Sequence, residues 1–214
     1  MTTTPAPRHV AAFSRADDSC ALTLEACHRA YGAILALPPV SLRVHRGGVC
    51  TVTGANGSGK TTLLRIAAGL LQPSGGQRTG ADPALYAAAG DGARSAQTVQ
   101  QAVRFAAALG GGDADEAIEL ADLSGLQTRR FGALSAGQRT RVTLATVIAS
   151  NPAVVCLDEP DAHLDSDGRR CASRVVDHLA GRGAAVLVAT HDHRWLDTGC
   201  DSHLELSSPA ERSP

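Results

Sequence analysis

Lysine is nearly absent from this chain of 214 residues. It occurs once, at Lys60, and the other nineteen of its twenty lysine and arginine residues are arginine. Lysine carries a compact ammonium charge, whereas arginine presents a broad planar guanidinium. We therefore predict that this one position requires the point charge of a lysine.

The chain also lacks an apolar run long enough to cross a membrane. Its longest purely apolar stretches, such as residues 184–189, fall far short of the roughly 20 residues that a spanning helix needs. Between Arg8 and Arg15 near the start there is no apolar block, so no secretory signal is predicted. If the protein works at a membrane, we expect other chains to supply the spanning part.

Charge and cysteine spacing argue against a nucleic-acid-binding protein and against a zinc or redox site built on close cysteine pairs. The formal net charge is −1 at pH 7, which gives no electrostatic reason to expect a nucleic-acid partner. No two of the six cysteines are separated by only two residues, so the close pairs typical of zinc and redox sites are missing. The thiols are expected to be reduced, as in a cytosolic protein.

The order of the apolar segments predicts an α/β fold. Continuous apolar runs at 153–157 and 184–189 are typical of strands buried on both faces. A helical segment at 167–179 lies between them, and such a crossover forms a parallel sheet. Further strands are predicted at 21–27, 40–44, 49–53 and 84–89, and further helices at 61–71, 98–109, 136–149 and from 113 onward. Residues 1–19 and 207–214 are predicted to be a flexible arm and tail.

A phosphate-binding loop follows the predicted strand 49–53. It fits the pattern G-x-x-x-x-G-K-[ST] and reads Gly54-Ala55-Asn56-Gly57-Ser58-Gly59-Lys60-Thr61. In such loops backbone N–H groups and the helix N-terminus bind phosphate oxygens, and the lysine reaches the β- and γ-phosphates. The residues predicted to bind a nucleotide here are Gly54, Asn56, Gly57, Ser58, Gly59, Lys60, Thr61 and Thr62, with the Thr61 hydroxyl also suited to Mg²⁺.

Two acids follow the strand predicted at 153–157. Ligands of open parallel sheets bind at the carboxyl ends of the strands, so these acids are expected to face the nucleotide. Asp158 would hold Mg²⁺, directly or through water, and Glu159 would act as the general base that polarises the attacking water.

The phosphate loop alone does not distinguish kinases, GTPases and ATPases. A guanine-specific protein usually carries an Asn-Lys-x-Asp run, which is impossible here because the single lysine lies in the phosphate loop. Two more motifs separate the remaining classes, and they read Leu134-Ser135-Ala136-Gly137-Gln138 and Val154-Val155-Cys156-Leu157-Asp158-Glu159-Pro160. With them the chain resembles the ATP-binding cassette (ABC) ATPases from residue 21 to 206, whose signature loop is normally Leu-Ser-Gly-Gly-Gln.

The resemblance implies a P-loop NTPase fold with a parallel core sheet. An N-terminal antiparallel β part and an inserted α-helical subdomain, near 96–145, would complete an ATPase domain at 20–206. It also implies roles for further residues. His191, after the strand at 184–189, would be the switch histidine that contacts the γ-phosphate and organises Glu159, so that the catalytic set is Glu159, His191 and Lys60.

Several implied contacts involve the base of the nucleotide or a second subunit. Tyr31 matches the aromatic that stacks on adenine, and Asp165 is the acidic member of the loop between facing subunits. Signature residues Ser135, Ala136, Gly137 and Gln138 would close over ATP bound to the other copy. The resemblance therefore implies a head-to-tail dimer of ATPase subunits, either homodimeric or heterodimeric.

The chain departs from the family pattern at one loop. The family has a glutamine there that reaches Mg²⁺ or its water and contacts the membrane partner. By spacing, the loop should fall near 90–92, where no glutamine occurs, and Asp91 or Gln97 could substitute. The stretch 75–85 is also shorter than usual, as if a hairpin had been trimmed.

These features predict the ATP-binding, Mg²⁺-dependent ATPase subunit of an ABC transporter. It would lie in the cytoplasm on the inner face of the cell membrane and energise a separate membrane-spanning permease. Two alternatives remain open. One is a non-transport ABC clamp, although no coiled coil, second cassette or basic surface is present; the other is a hydrolysis-poor partner in a heterodimer, suggested by the missing glutamine.

Overall fold

The computed structural model describes residues 19–196 and 200–207. The predicted arm (1–19) and tail (207–214) therefore lie outside the described residues, apart from Ser19 and Ser207. Within the described ranges, no helix is both long enough and apolar enough to span a membrane.

Eight strands and five α-helices build the described part of the chain. The strands are β1 (Cys20–Tyr31), β2 (Ile34–His45), β3 (Val49–Gly54), β4 (Gly75–Gly80), β5 (Ala84–Ala88), β6 (Val154–Asp158), β7 (Ala185–Ala189) and β8 (Ser202–Leu206). The helices are α1 (Lys60–Ala67), α2 (Val99–Gly110), α3 (Ala114–Leu120), α4 (Ala136–Ala149) and α5 (Ser166–Gly181). Short 3₁₀ turns lie at Phe131–Ala133 and His193–Trp195.

The parallel sheet has the strand order β5-β6-β7-β3-β8. The crossover from β6 through α5 to β7 confirms the predicted strand–helix–strand unit. All five residues of β6 are buried, and the four apolar ones alternate between two apolar cores on opposite faces of the sheet. This two-sided burial explains why the strand reads as a continuous apolar run.

A second, antiparallel sheet has the order β2-β1-β4. The strands predicted at 21–27 and 40–44 are present and are longer than expected. The short segment 75–85 contributes β4 to this sheet and the start of β5 to the parallel one. Strands β4 and β8 are not predicted from the sequence, since β4 is rich in glycine and β8 contains only two apolar residues, Leu204 and Leu206.

Helices α2 and α3 and most of α4 fall within the range 96–145 predicted for the helical subdomain. Helices α2 and α4 each begin with a capping box, formed by Thr98 with Gln101 and by Ser135 with Gln138. Asp113 caps α3 by accepting from the N–H groups of Asp115 and Glu116. Helix α1 is shorter than predicted, because Gly69 follows it with a φ of 75° that leaves the helical conformation.

Candidate functional site

The phosphate loop connects β3 to α1 and takes a backbone path that only glycine permits. Gly59, the residue before α1, has a φ of 107°, and a Cβ placed on it would lie 2.7 Å from the carbonyl oxygen of Ala36. A Cβ on Gly54 would lie 2.5 Å from the carbonyl oxygen of Leu206. The loop is therefore packed directly against the backbone of β2 and β8.

Lys60 lies at the first position of α1 and is buried. Its Nζ donates hydrogen bonds to the carbonyl oxygens of Gly54 (2.8 Å) and Ala55 (3.2 Å). An ammonium has three donors, so one more is available to a ligand in the loop. Among the described residues no side chain caps the N-terminus of α1, and its backbone N–H groups add to the positive potential around the ammonium.

A cavity of about 340 Å³ opens beside this loop. Seven of the residues predicted from sequence line it: Asn56, Gly57, Gly59, Lys60, Thr61, Thr62 and Glu159. Its other wall, formed by Ile34, Leu35 and Ala36 of β2, has no motif that sequence reasoning could identify. Polar phosphate-binding groups thus face an apolar edge across one cavity.

Asp158 lies at the carboxyl end of β6 and is only 7% exposed. Its Oδ2 accepts hydrogen bonds from the Thr61 hydroxyl (2.7 Å) and the Tyr86 hydroxyl (2.8 Å). Its Oδ1 is buried and has no hydrogen-bond partner among the described residues. A buried carboxylate oxygen without a partner is costly, and a hard cation such as Mg²⁺ would satisfy it. The residues present therefore fit the predicted metal.

Burial, together with the hydrogen bond to Asp158, raises the pKa of Tyr86 to about 12. The phenol therefore remains protonated at neutral pH and acts as the donor toward the carboxylate. Tyr86 belongs to β5, at a position where the sequence gives no functional signal.

Glu159 and His191 form a pair at the ends of neighbouring strands β6 and β7. Nε2 of His191 lies 3.0 Å from Oε1 of Glu159, and both side chains are about half exposed. Glu159 has a φ of 52°, which is unusual for a residue with a side chain, and its N–H donates to the carbonyl oxygen of Ala189 (2.8 Å). Such strain persists where surrounding contacts enforce it, and it is common at functional sites.

The segments that carry this pair are joined by a hydrogen bond not predicted from the sequence. The buried Thr190 hydroxyl donates to Oδ1 of Asp161 (2.9 Å). Thr190 immediately precedes His191, and Asp161 lies two residues after Glu159. This contact therefore joins the segment after β6 to the segment after β7, which carry the two residues predicted to be catalytic.

The signature loop, Asp165 and Tyr31 do not line the cavity. The Ser135 hydroxyl accepts from the Gln138 N–H (3.2 Å), and Asp165 caps α5 by accepting from the Gly168 N–H (2.8 Å). Gly137 faces the loop before α5, since a Cβ there would lie 2.9 Å from the carbonyl oxygen of His163. Gly137 thus lies beside the loop that precedes α5, and none of Ser135, Ala136, Gly137 and Gln138 lines the cavity.

Neither of the two candidates for the missing glutamine lines the cavity. Asp91 lies in a groove between α2 and α4, where its carbonyl oxygen accepts from the Thr143 hydroxyl. The Gln97 side chain accepts from the Arg94 N–H (2.8 Å) and closes a local turn.

Known proteins are similar to this chain along most of its length. Residues 37–162 match the ABC transporter family. The cytochrome c biogenesis ATP-binding export protein CcmA of Roseobacter denitrificans is 41% identical over 177 residues, which cover 78% of this chain and 85% of that protein. The energy-coupling factor transporter ATP-binding protein EcfA1 of Thermotoga maritima is 32% identical over 193 residues, covering 82% and 74% respectively.

Solved structures share the fold. A bacterial ABC transporter cassette determined as a dimer superposes with a TM-score of 0.76 at 23% identity, covering 88% of this chain and 96% of that one. A nucleotide-free ATP-binding cassette superposes with a TM-score of 0.74 at 21% identity, covering 88% of both chains. The predicted α/β P-loop fold with its antiparallel and helical parts is confirmed, and the chain belongs to the ABC transporter family as an ATP-binding ATPase subunit.

Proposed function

We propose that this subunit binds MgATP in the cavity beside the phosphate loop and hydrolyses it to move a substrate through a separate membrane-spanning partner. The observation that carries the proposal is the Glu159–His191 pair, 3.0 Å apart, beside a cavity lined by Lys60 and Thr61. This arrangement combines phosphate binding with a general base, and both are needed for hydrolysis.

Lys60 and the N–H groups at the start of α1 would hold the β- and γ-phosphates. Thr61 and Asp158 would hold Mg²⁺, the latter through its unpaired Oδ1. The metal, when bound, neutralises negative charge on the phosphate oxygens.

The Glu159 carboxylate would accept a proton from a water molecule as the water oxygen attacks the γ-phosphorus. The bond from that phosphorus to the β–γ bridging oxygen breaks at the same time, and ADP leaves with the bonding electrons. His191 would hold Glu159 in position through Nε2 and contact the γ-phosphate. General-base catalysis of this kind contributes about 10²–10⁴-fold to the rate.

A second copy would complete the site in a head-to-tail dimer. The signature residues from Ser135 to Gln138 do not line their own chain's cavity, and Gly137 lies beside the loop that contains Asp165. This separation supports a dimer in which each copy's signature loop covers ATP on its partner. The dimer could be formed with an identical or a related subunit.

The adenine base would bind at the tip of the β1–β2 hairpin. Tyr31 is 51% exposed and Ile34 is 71% exposed, so an apolar surface lies next to the cavity edge. The Arg29 guanidinium lies 4.6 Å from the centroid of the Tyr31 ring. We propose that the base stacks on the ring face opposite Arg29, because aromatic rings stack on both faces.

The membrane partner would dock in the groove between α2, α4 and the edge strand β5. This groove has a volume of about 260 Å³ and includes Phe105 and Leu109, which are 62% and 75% exposed. Exposed apolar side chains beside a groove are typical of a protein interface. A permease segment seated there would place this subunit on the inner face of the cell membrane.

A finer proposal concerns the cargo. Several similar proteins, at 36–41% identity, carry the name cytochrome c biogenesis ATP-binding export protein. We propose that this chain energises export of that kind. Deletion of its gene should abolish c-type cytochromes with covalently bound haem in the host, as detected by haem staining. Normal staining would assign the chain to another cargo.

The hydrolysis proposal is tested with Glu159→Gln. This variant should still bind a fluorescent ATP analogue and should lose turnover by about 10²-fold or more, because the general base is removed. Glu116→Gln is a matched control on the helical subdomain, where the residue pairs with Arg182 (3.4 Å), and it should retain parental turnover. Parental turnover in Glu159→Gln would rule out the role of Glu159 as the general base.

A further inference from the structure

Two hydroxyl groups from different elements converge on one oxygen of Asp158. Oδ2 accepts from Thr61 of α1 and from Tyr86 of β5, while Oδ1 has no partner among the described residues. We infer that Tyr86 is a positioning residue: its hydroxyl fixes the Asp158 carboxylate so that Oδ1 remains directed toward the metal of MgATP. This inference rests on the proposed MgATP site.

The strand register explains why a tyrosine is required for this contact. Strands β5 and β6 pair in parallel, with Tyr86 opposite Cys156 and Ala88 opposite Asp158. Side chains two residues apart on a strand share a face, so Tyr86 lies on the same face as Asp158 but about 7 Å earlier along the strand. A tyrosine side chain is long enough to cover that offset, whereas the methyl group of Ala88 beside Asp158 cannot donate a hydrogen bond.

The position of the Tyr86 ring does not depend on Asp158 alone. The ring is partly buried against the apolar core that includes α1. The guanidinium of Arg65, one turn after Thr61 on that helix, lies 5.4 Å from the ring centroid. Helix α1 therefore contacts both donors to Oδ2: it contains Thr61, and its Arg65 lies against the Tyr86 ring.

The buried environment makes the second donor important. Asp158 is 7% exposed, so water cannot readily replace a lost hydrogen bond. Without the tyrosine hydroxyl, Oδ2 keeps only Thr61, and the carboxylate can rotate away from the metal. Loss of a hydrogen bond that orients a metal ligand typically weakens metal binding by about 10–100-fold. One donor remains here, so we expect about a 10-fold effect.

The test measures how much Mg²⁺ strengthens binding of a fluorescent ATP analogue, as the ratio of Kd in EDTA to Kd in Mg²⁺. Tyr86→Phe should keep the parental Kd in EDTA and lower this ratio about 10-fold. Ser41→Ala removes a hydroxyl that is hydrogen-bonded to the Ala26 N–H and not to Asp158, and it should leave the ratio unchanged. A parental ratio in Tyr86→Phe would overturn the inference, and so would an equal loss of affinity with and without Mg²⁺, which indicates a purely structural role.

Nucleotide binding by the parent protein distinguishes failure of this inference from failure of the proposed MgATP site. If the parent binds no nucleotide, or binds it equally with and without Mg²⁺, the MgATP site itself fails and the inference fails with it. If the parent shows the Mg²⁺ effect and Tyr86→Phe retains it, only the role of Tyr86 is wrong.

A measurement that leaves Tyr86 in place guards against misfolding of the variant. The chain has two tyrosines, so Tyr31→Phe leaves Tyr86 as its single tyrosine. In protein labelled with ¹³Cζ-tyrosine, saturating MgATP should shift this one resonance relative to saturating ATP in EDTA, because the accepting carboxylate gains a metal. Identical resonances in the two conditions would overturn the inference.

Discussion

Replacing Gly59 by alanine should destabilise the nucleotide-free protein much more than the same replacement at Gly57. Both glycines lie in the phosphate loop and both have a positive φ, 107° at Gly59 and 76° at Gly57. A Cβ on Gly57 would meet no atom within 4 Å. A Cβ on Gly59 would lie 2.7 Å from the carbonyl oxygen of Ala36 and 3.1 Å from a methyl group of Leu37.

The expected magnitudes follow from these two environments. For Gly57→Ala only the backbone cost applies, and an alanine in the left-handed region costs about 1–2 kcal/mol. Gly59→Ala adds a steric cost of about 2 kcal/mol to a backbone cost of about 2 kcal/mol, giving about 4 kcal/mol in total. For a chain of this size, 1 kcal/mol lowers Tm by about 2–4 °C, so we expect about 2–8 °C for Gly57→Ala and about 8–16 °C for Gly59→Ala.

The assay is thermal and urea denaturation of both variants in EDTA without nucleotide, so that ligand binding does not contribute to stability. Equal losses, or a larger loss for Gly57→Ala, would refute the argument that the loop is pressed against the backbone of β2. Nucleotide affinity then gives a second readout. Gly59→Ala should weaken binding more, because the displaced Ala36 forms part of the cavity wall.

Three further predictions concern hydrogen bonds and one buried thiol. Ser135→Ala and Thr98→Ala each remove a helix cap, and each should lower the free energy of unfolding, measured by urea denaturation, by about 1 kcal/mol. Only Ser135→Ala should also weaken the ATP-dependent dimer, measured by sedimentation velocity. Equal dimer loss in both would contradict the proposed interface. Thr190→Val removes the bond to Asp161 and should lower the free energy of unfolding by about 1–3 kcal/mol; a change below about 0.5 kcal/mol would contradict its structural role. Burial raises the pKa of Cys171 from 9.0 to about 11, so its contribution to stability is complete below pH 9 and is lost as the pH rises toward 11. The free energy of unfolding should therefore fall more between pH 9 and 11 in the parent than in Cys171→Ala, and equal decreases in urea denaturation would refute this.

The sequence by itself determined the phosphate loop, the two acids after a buried strand and the strand–helix–strand crossover. Each depends on local physical chemistry. Glycine is the residue that tolerates positive φ in a tight loop, as at Gly57 and Gly59, and strands buried on both faces read as continuous apolar runs. The chain direction in a parallel sheet then places Asp158 and Glu159 at the edge where ligands bind.

Only the tertiary structure decided which distant side chains meet at that edge. Tyr86 and Asp158 are 72 residues apart, and their contact depends on β5 and β6 being neighbours in register. Thr190 and Asp161 meet because β7 lies beside β6, and β2 forms a cavity wall that no motif marks. A sequence pattern encodes the period and burial of each element but not which elements become neighbours, because sheet order is selected by the packing of the whole domain.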